Sequence, residues 1–327
     1  MRNLKNILLI GISVLIGLSF SIKLKAQNEK KPDEKSKFQL GSYLGQKPPG
    51  TTPELFLPNI FLKGTHSAPS FTPDGTEMYW SRYYIPEGSR SRTQHIFYSQ
   101  FSGNQWTEPM LAPFSGSYSD GGPFLTNNGN RLFFYSNRPA KAGEKPSDEY
   151  IADIWFVDKT DDGWGVPQRF QFNTDKHDGM ATVADDGTIF FQSNRSGSHG
   201  IFDIYYSNLI NGVCVEPIRL GSEINCSGIN FSPLIAPNQS FLIVSYNHNS
   251  PNNGLYISFK KPDGTWTKSI NMGGMINLTS VQRFPGLSPD GKYLFFVRAE
   301  SKDSSQDGMY WIDAIVIDSL KDSVLNR

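Results

Sequence analysis

Five times the chain writes a short apolar segment, a turn built on Asp-Gly or a close variant, and a second apolar segment. The copies are "SAPSFTPDGTEMYWS" from Ser67, "GGPFLTNNGNRLFFYS" from Gly121, "GMATVADDGTIFFQS" from Gly179, "FSPLIAPNQSFLIVS" from Phe231 and "RFPGLSPDGKYLFFV" from Arg283. Their turn positions, Gly75, Gly129, Gly187, Gln239 and Gly291, lie 54, 58, 52 and 52 residues apart. A near-constant period of this length confines a chain to repeat architectures. Asp-Gly and Asn-Gly supply the positive φ of a tight connection, so each copy is expected to be a β-hairpin. The fourth copy must turn without glycine, on Gln239.

A third apolar strand follows each hairpin, beginning at His95, Asp153, Asp203, Gly254 and Gly308, and a fourth opens at Trp106, Trp164 and Trp266 in three of the units. Four short antiparallel strands per unit, with no amphipathic helix recognised anywhere, predict an all-β fold, a five-bladed β-propeller; six blades is the alternative. The last unit stops after its third strand. "PELFLPNIFLK", from Pro53 to Lys63, precedes the first hairpin without one of its own. It is expected to supply the outer strand of the fifth blade and so remove the exposed edges of an open stack.

Residues 1–26 have a basic start, an apolar run from Ile7 to Phe20 and Leu24-x-Ala26 before Gln27, the pattern of a signal peptide. The run is too short for the roughly 20 residues of a spanning helix, and no later stretch is long enough. Residues 27–50 are charged, then Pro/Gly-rich, and are expected to form a polar leader, with 51–327 as one propeller domain. The signal segment holds four of the 31 basic residues and no acid, leaving 27 basic against 31 acidic groups. That acidic balance argues against a nucleic-acid partner. The expected location is the periplasm or outside the cell, and the expected state is a monomer without cofactor or metal.

"SPDGKYLFF", "FTPDGTEMYWS" and "SNRSG…GIFDIYYSN" resemble the WD-repeat-like β-propeller repeats of the TolB type, over essentially the whole chain from Pro53. The resemblance implies an envelope or secreted propeller that works by binding proteins or ligands. The chain departs from TolB itself in lacking a separate N-terminal α/β domain and in having five units where TolB has six blades.

Two cysteines in an exported chain invite a disulfide. In the repeat register, however, Cys214 falls where Trp106 and Trp164 fall, and Cys226 where Leu278 falls. Two free thiols replacing apolar residues is the favoured reading and a bond the other. The five histidines show no HExxH or i, i+4 pair, and no nucleophile elbow or phosphate loop occurs. The aromatic runs "LFFY", "IFFQ" and "YLFF" alternate as strand packing does.

Nine positions before each turn residue stand His66, Asp120, Asp178, Asn230 and Gln282, polar groups in apolar surroundings. At the exit of the second strand stand Arg82, Arg138, Arg195, Asn247 and Arg298, which propeller connectivity brings to the same rim. One reading is structural, with carboxylate–guanidinium pairs tying the blades. The other is a polar mouth of the central channel, walled by the loops from Tyr83 and Pro139, that binds a ligand. The expected function is a non-enzymatic scaffold whose rim holds an envelope protein or a cell-surface polysaccharide or peptidoglycan. The alternative is a glycan-active enzyme using Asp120 and Asp178 as its two carboxylates.

Overall fold

The computed structural model describes residues 43–325, apart from 62–63, 86–91, 142, 147–150, 211–212, 248–252, 280 and 300–307. The expected signal segment and most of the expected leader lie outside the described residues. So do His248 and much of the two loops expected to wall the rim.

Five small antiparallel sheets, each carrying one copy of the repeat, form a five-bladed propeller. The turns explain the recurring tetrapeptide. The turn residue donates its N–H to the carbonyl three residues earlier in every blade, from Gly75 to Thr72, Gly129 to Thr126, Gly187 to Ala184, Gln239 to Ala236 and Gly291 to Ser288. The side chain before it, Asp74, Asn128, Asp186, Asn238 or Asp290, accepts the N–H two residues on. Gln239 adopts φ 58° without being glycine. Its amide donates to Asp186 and accepts from Lys260, so ties to blade 3 and to its own third strand hold the unfavourable conformation.

Each inner strand carries a second device. Three positions before the turn residue, every inner strand donates its N–H to the second strand, as Thr126 does to Arg131. The residues four and six before the turn therefore point their N–H groups the other way. In blades 2 and 4 the fourth finds a hydroxyl of the preceding blade, Leu125 on Ser70 and Ile235 on Thr182. The sixth is Pro69, Pro123, Pro233 or Pro285 in four blades and Ala181 in the third. Proline has no N–H to leave unpaired on the channel-facing edge, which is why it is tolerated inside these strands. One residue earlier, Gly122, Met180, Ser232 and Phe284 take positive φ at a bulge where the pairing register shifts.

Closure follows the sequence expectation. Glu54–Leu55 pairs antiparallel with Gly308–Asp313, Glu54 opposite Trp311 and Leu55 opposite Tyr310. Phe56 is fully buried there against Phe61, Phe71, Phe295 and Trp311. The second-strand, third-strand and closing residues thus share one aromatic cluster between blades 1 and 5.

Three expectations change. Residues 43–50 do not behave as a free leader: Leu44 is 1% exposed, its carbonyl accepts from the Trp106 indole, and the Tyr43 hydroxyl donates to Asp290 at 2.6 Å. The chain also ends in a helix, Ile315–Leu325, begun by Asp313, whose carboxylate accepts the Ile315 N–H, and anchored by Ile317. Finally, the tryptophans do not open the fourth strands. Trp106 and Trp164 sit in the returning hairpin, and the outer strands begin later as two-residue segments such as Met110–Leu111 and Gln168–Arg169. Trp164 instead reaches the preceding blade, its indole donating to the Tyr79 hydroxyl at 3.1 Å, and Trp266 meets Phe190 edge-on.

Neither Cys214 nor Cys226 is in a disulfide, and both are half-buried. Cys226 donates to Asn230 at 3.1 Å, and Cys214 packs on the cluster of Phe133 and Phe191.

Candidate functional site

The ring nine positions before the turns divides into four structural members and one exception. Asp120 accepts from Arg138 at 2.8 Å and from Ser115, while Arg138 also donates to the Phe114 carbonyl. Asp178 accepts from Arg195 at 2.8 Å and from the Thr174 N–H and hydroxyl, while Arg195 donates to the Phe172 carbonyl. The two carboxylates are 0% and 1% exposed. Each pair pins the loop arriving from the preceding blade to the start of an inner strand, and neither offers its carboxylate to solvent.

Asn230 does the same for blade 4 without a charge, donating to Asp203 and to the carbonyls of Phe202 and Cys226. Asp203 is itself paired with Arg219 at 2.7 Å. In blade 5, Gln282 donates to Thr279, while Arg298 donates to the Met275 carbonyl and lies over the Tyr310 ring at 4.1 Å. Arg82 lies over Phe97, and its strand partner is His95, not His66. Asn247 closes the second strand of blade 4 opposite Ile229.

His66 is the exception: its ring meets side chains of three blades. Its ring is 4.6 Å from Tyr83 of its own blade and 4.5 Å from Phe284 of blade 5. Its Nδ1 is 3.3 Å from the Gln94 amide nitrogen and 3.4 Å from the Tyr135 hydroxyl of blade 2. Three blades thus converge on one half-buried imidazole. Tyr135 donates to Gln94 Oε1 at 2.7 Å, and the Gln94 amide nitrogen donates to Ser81 at 2.8 Å. Gly121 is glycine for this reason: a Cβ there would stand 2.4 Å from both the Gln94 amide and the Tyr135 hydroxyl.

Beyond Tyr135 the mouth continues to a second imidazole. His177 lies 5.9 Å from the Tyr135 ring and 5.1 Å from Phe202, with Nε2 at 3.3 Å from the Gln192 amide nitrogen. Gln192 accepts the Ser232 N–H at 2.9 Å. Among the described residues no three His, Cys, Asp or Glu side chains form a metal-binding group. At the opposite, hairpin end the channel widens into a mainly apolar cavity of about 400 Å³, which Phe284 and Met180 also line.

Burial, with the nearby guanidiniums of Arg283 and Arg92, holds His66 well below the ordinary imidazole value, so it is neutral. Burial drives the Tyr135 phenol well up, so it stays protonated. Burial also lowers His95. A depressed histidine binds protons more weakly folded than unfolded. Stability contributed by His66 and His95 is therefore complete above the ordinary value of 6.5 and declines as pH falls below it. Thermal unfolding followed from pH 7.5 to 5.5 should show the midpoint falling on acidification, with a flatter profile in His66→Gln. Identical slopes in the two proteins would exclude His66 as a source.

Gln94, Tyr135, His177, Gln192 and Arg283 were not singled out in sequence. The available signal was a polar Gln192 at the end of an otherwise apolar second strand.

No protein-family model matches the sequence, and no curated protein does. Among solved structures the chain is similar to a periplasmic gluconolactonase of Pseudomonas aeruginosa, at 11% identity and a TM-score of 0.41, covering 70% of this chain and 64% of that one. It is similar to an oligogalacturonate lyase in complex with manganese, at 14% and 0.41, covering 78% and 66%. It is also similar to the α-L-arabinofuranosidase PaAbf62A of Podospora anserina, at 10% and 0.47, covering 81% and 97%. The chain thus spans slightly under two thirds of the lactonase and lyase chains. These likenesses are of fold alone.

The expectation of a non-enzymatic scaffold is corrected at this point. In the chain itself, seven of the nine rim residues expected to meet a partner are spent on internal ties: Asp120, Asp178, Asn230, Gln282, Arg138, Arg195 and Arg298.

Proposed function

We propose that this chain is an enzyme acting on a saccharide at the polar mouth of its channel, with His66 as the group that meets the substrate. The observation that carries the reading is a neutral, half-buried imidazole. The Gln94 amide holds its Nδ1, with the Tyr135 hydroxyl oxygen 3.4 Å away, and no described residue bonds its Nε2. Side chains with strongly shifted protonation that converge in a cleft are the physical mark of acid–base sites. Half-buried Phe202 and Phe231 are the aromatic side chains proposed to pack on the carbon faces of a sugar. Asp120 and Asp178 are structural in this reading, because a carboxylate held by guanidinium and loop donors is not free to attack or to take a proton.

The test is turnover of a panel of polysaccharides, sugar esters and sugar lactones. His66→Ala is expected to lower kcat/KM about a hundredfold or more, while a folded Asp120→Asn keeps most of its activity. No turnover anywhere on the panel sinks the enzyme reading, and loss in Asp120→Asn at unchanged melting temperature would return the role to the carboxylate pair.

The repeat signature supports placing the chain among TolB-type repeat propellers, and residues 1–26 support export. Sequencing the mature N-terminus from the native envelope or medium should give Gln27 first; a protein retaining Met1 would end the export proposal.

A further inference from the structure

We propose that the channel mouth is a donor site of locked tautomer for a carboxylate-bearing saccharide, in which Gln94 fixes His66 with its proton on Nε2, beside the Arg283 guanidinium. This rests on the reading that a saccharide binds at this mouth, and adds the chemical class of that saccharide.

The lock follows from counting hydrogens. The Ser81 hydroxyl has one proton, and it goes to the His66 carbonyl at 3.2 Å. Its lone pairs therefore accept, one from the Gly122 N–H at 3.2 Å and one from Gln94 at 2.8 Å. That makes the Gln94 atom facing Ser81 the amide nitrogen, leaving its oxygen to accept from Tyr135 at 2.7 Å. The same amide nitrogen lies 3.3 Å from His66 Nδ1. An amide nitrogen can only donate, so Nδ1 accepts, and a neutral ring then carries its proton on Nε2.

Blade 3 repeats the arrangement independently. The Ser232 backbone N–H is an obligatory donor and lies 2.9 Å from Gln192 Oε1. The other Gln192 terminus is thus nitrogen, 3.3 Å from His177 Nε2. That nitrogen accepts, and the His177 proton sits on Nδ1. Two glutamines from different blades act as positioning residues for two imidazoles.

The consequence is a mouth of one charge preference. His66 offers an N–H, Tyr135 has spent its proton on Gln94, and the two rings that flank His66 each carry a guanidinium, Arg283 at 4.9 Å from the Phe284 ring and Arg92 at 4.5 Å from the Tyr83 ring. A neutral N–H donor and a guanidinium match a carboxylate, and neither offers a lone pair to a sugar hydroxyl's proton.

The experiment uses the mature chain from Gln27, labelled with ¹⁵N-histidine, at pH 7. Long-range proton–nitrogen spectra should show His66 protonated on Nε2 and His177 on Nδ1. Titration with D-glucuronate should shift the His66 Nε2 resonance, and D-glucose at equal concentration should not. Gln94→Glu should move the His66 proton to Nδ1 or give imidazolium, and weaken glucuronate about tenfold or more by placing like charge in the mouth. The spectra of the parent stand even where that variant does not fold. His66 found protonated on Nδ1, or responses to glucose equal to those of glucuronate, or no response to either, would overturn the proposal. Glucuronate binding without turnover of any panel substrate would sink the enzyme reading alone; turnover of neutral glycans without a glucuronate response would sink the anion site alone.

Discussion

Phe56→Ala is expected to destabilise the propeller by about 3–5 kcal/mol, the cost typical of emptying a buried phenylalanine site. In a chain of this size that corresponds to a drop in melting temperature of roughly 6–15 °C. Phe56 is fully buried, with ring centroids 4.9 Å from both Phe295 and Trp311, 5.6 Å from Phe61 and 6.5 Å from Phe71. Those partners come from the inner and second strands, from the last strand and from the closing segment. None can collapse into the void without moving a strand. The segment's backbone contribution is small, two paired residues and the Phe56 N–H on the Met309 carbonyl, so the aromatic plug carries most of the closure. Urea unfolding of parent and variant would read the difference, and a loss below about 1 kcal/mol would show that the ring closes without it.

Asp120→Ala should cost a similar amount, about 3–5 kcal/mol, for a different reason. It removes one half of a buried ion pair and leaves the Arg138 guanidinium, 9% exposed, without its carboxylate. Arg138 keeps bonds to the Ser136 hydroxyl and the Phe114 carbonyl, but neither is charged. The diagnostic is the double variant Asp120→Ala, Arg138→Leu, which takes away the stranded charge together with its partner. It should recover a substantial part of the loss. If the double variant is as unstable as the sum of the single ones, the pair is not coupled, and the reading of this ring as blade ties fails at Asp120.

The fold was legible because its determinants are local and repeated. Each turn needs positive φ at one residue and an acceptor side chain just before it, and those demands fall on neighbouring positions five times. Closure was legible because a lone strand at one end matched a missing strand at the other. The terminal helix was hidden by "GMYWIDAIVI", where a strand runs to Asp313 and the helix starts two residues later, so the apolar run does not pause. Tyr43 and Leu44 were hidden because their burial depends on blades 1 and 5 meeting over them.

The polar ring shows the limit most clearly. Its five positions could be found by alignment, yet His66 differs from Asp120 and Asp178 only in what surrounds it. Asp120 and Asp178 meet an arginine two residues past the end of their own second strand, a spacing visible in sequence. His66 meets Gln94, Tyr135 and Phe284 from the third strand of its own blade and from blades 2 and 5, and no spacing along the chain announces that meeting.

The prolines of the inner strands bear on what happens when the ring is open. During synthesis, or after transient loss of the closing segment, the channel-facing edges of the blades become accessible to other chains. An incoming strand would need a row of donors and acceptors along that edge to pair with it. Pro69, Pro123, Pro233 and Pro285 each interrupt the row at the same height, and the adjoining bulges twist it. An opened propeller is thereby a poor template for edge-to-edge assembly. Blade 3, which carries Ala181 in place of proline, is the edge left most open to it, and Ala181→Pro is the substitution that would close the gap.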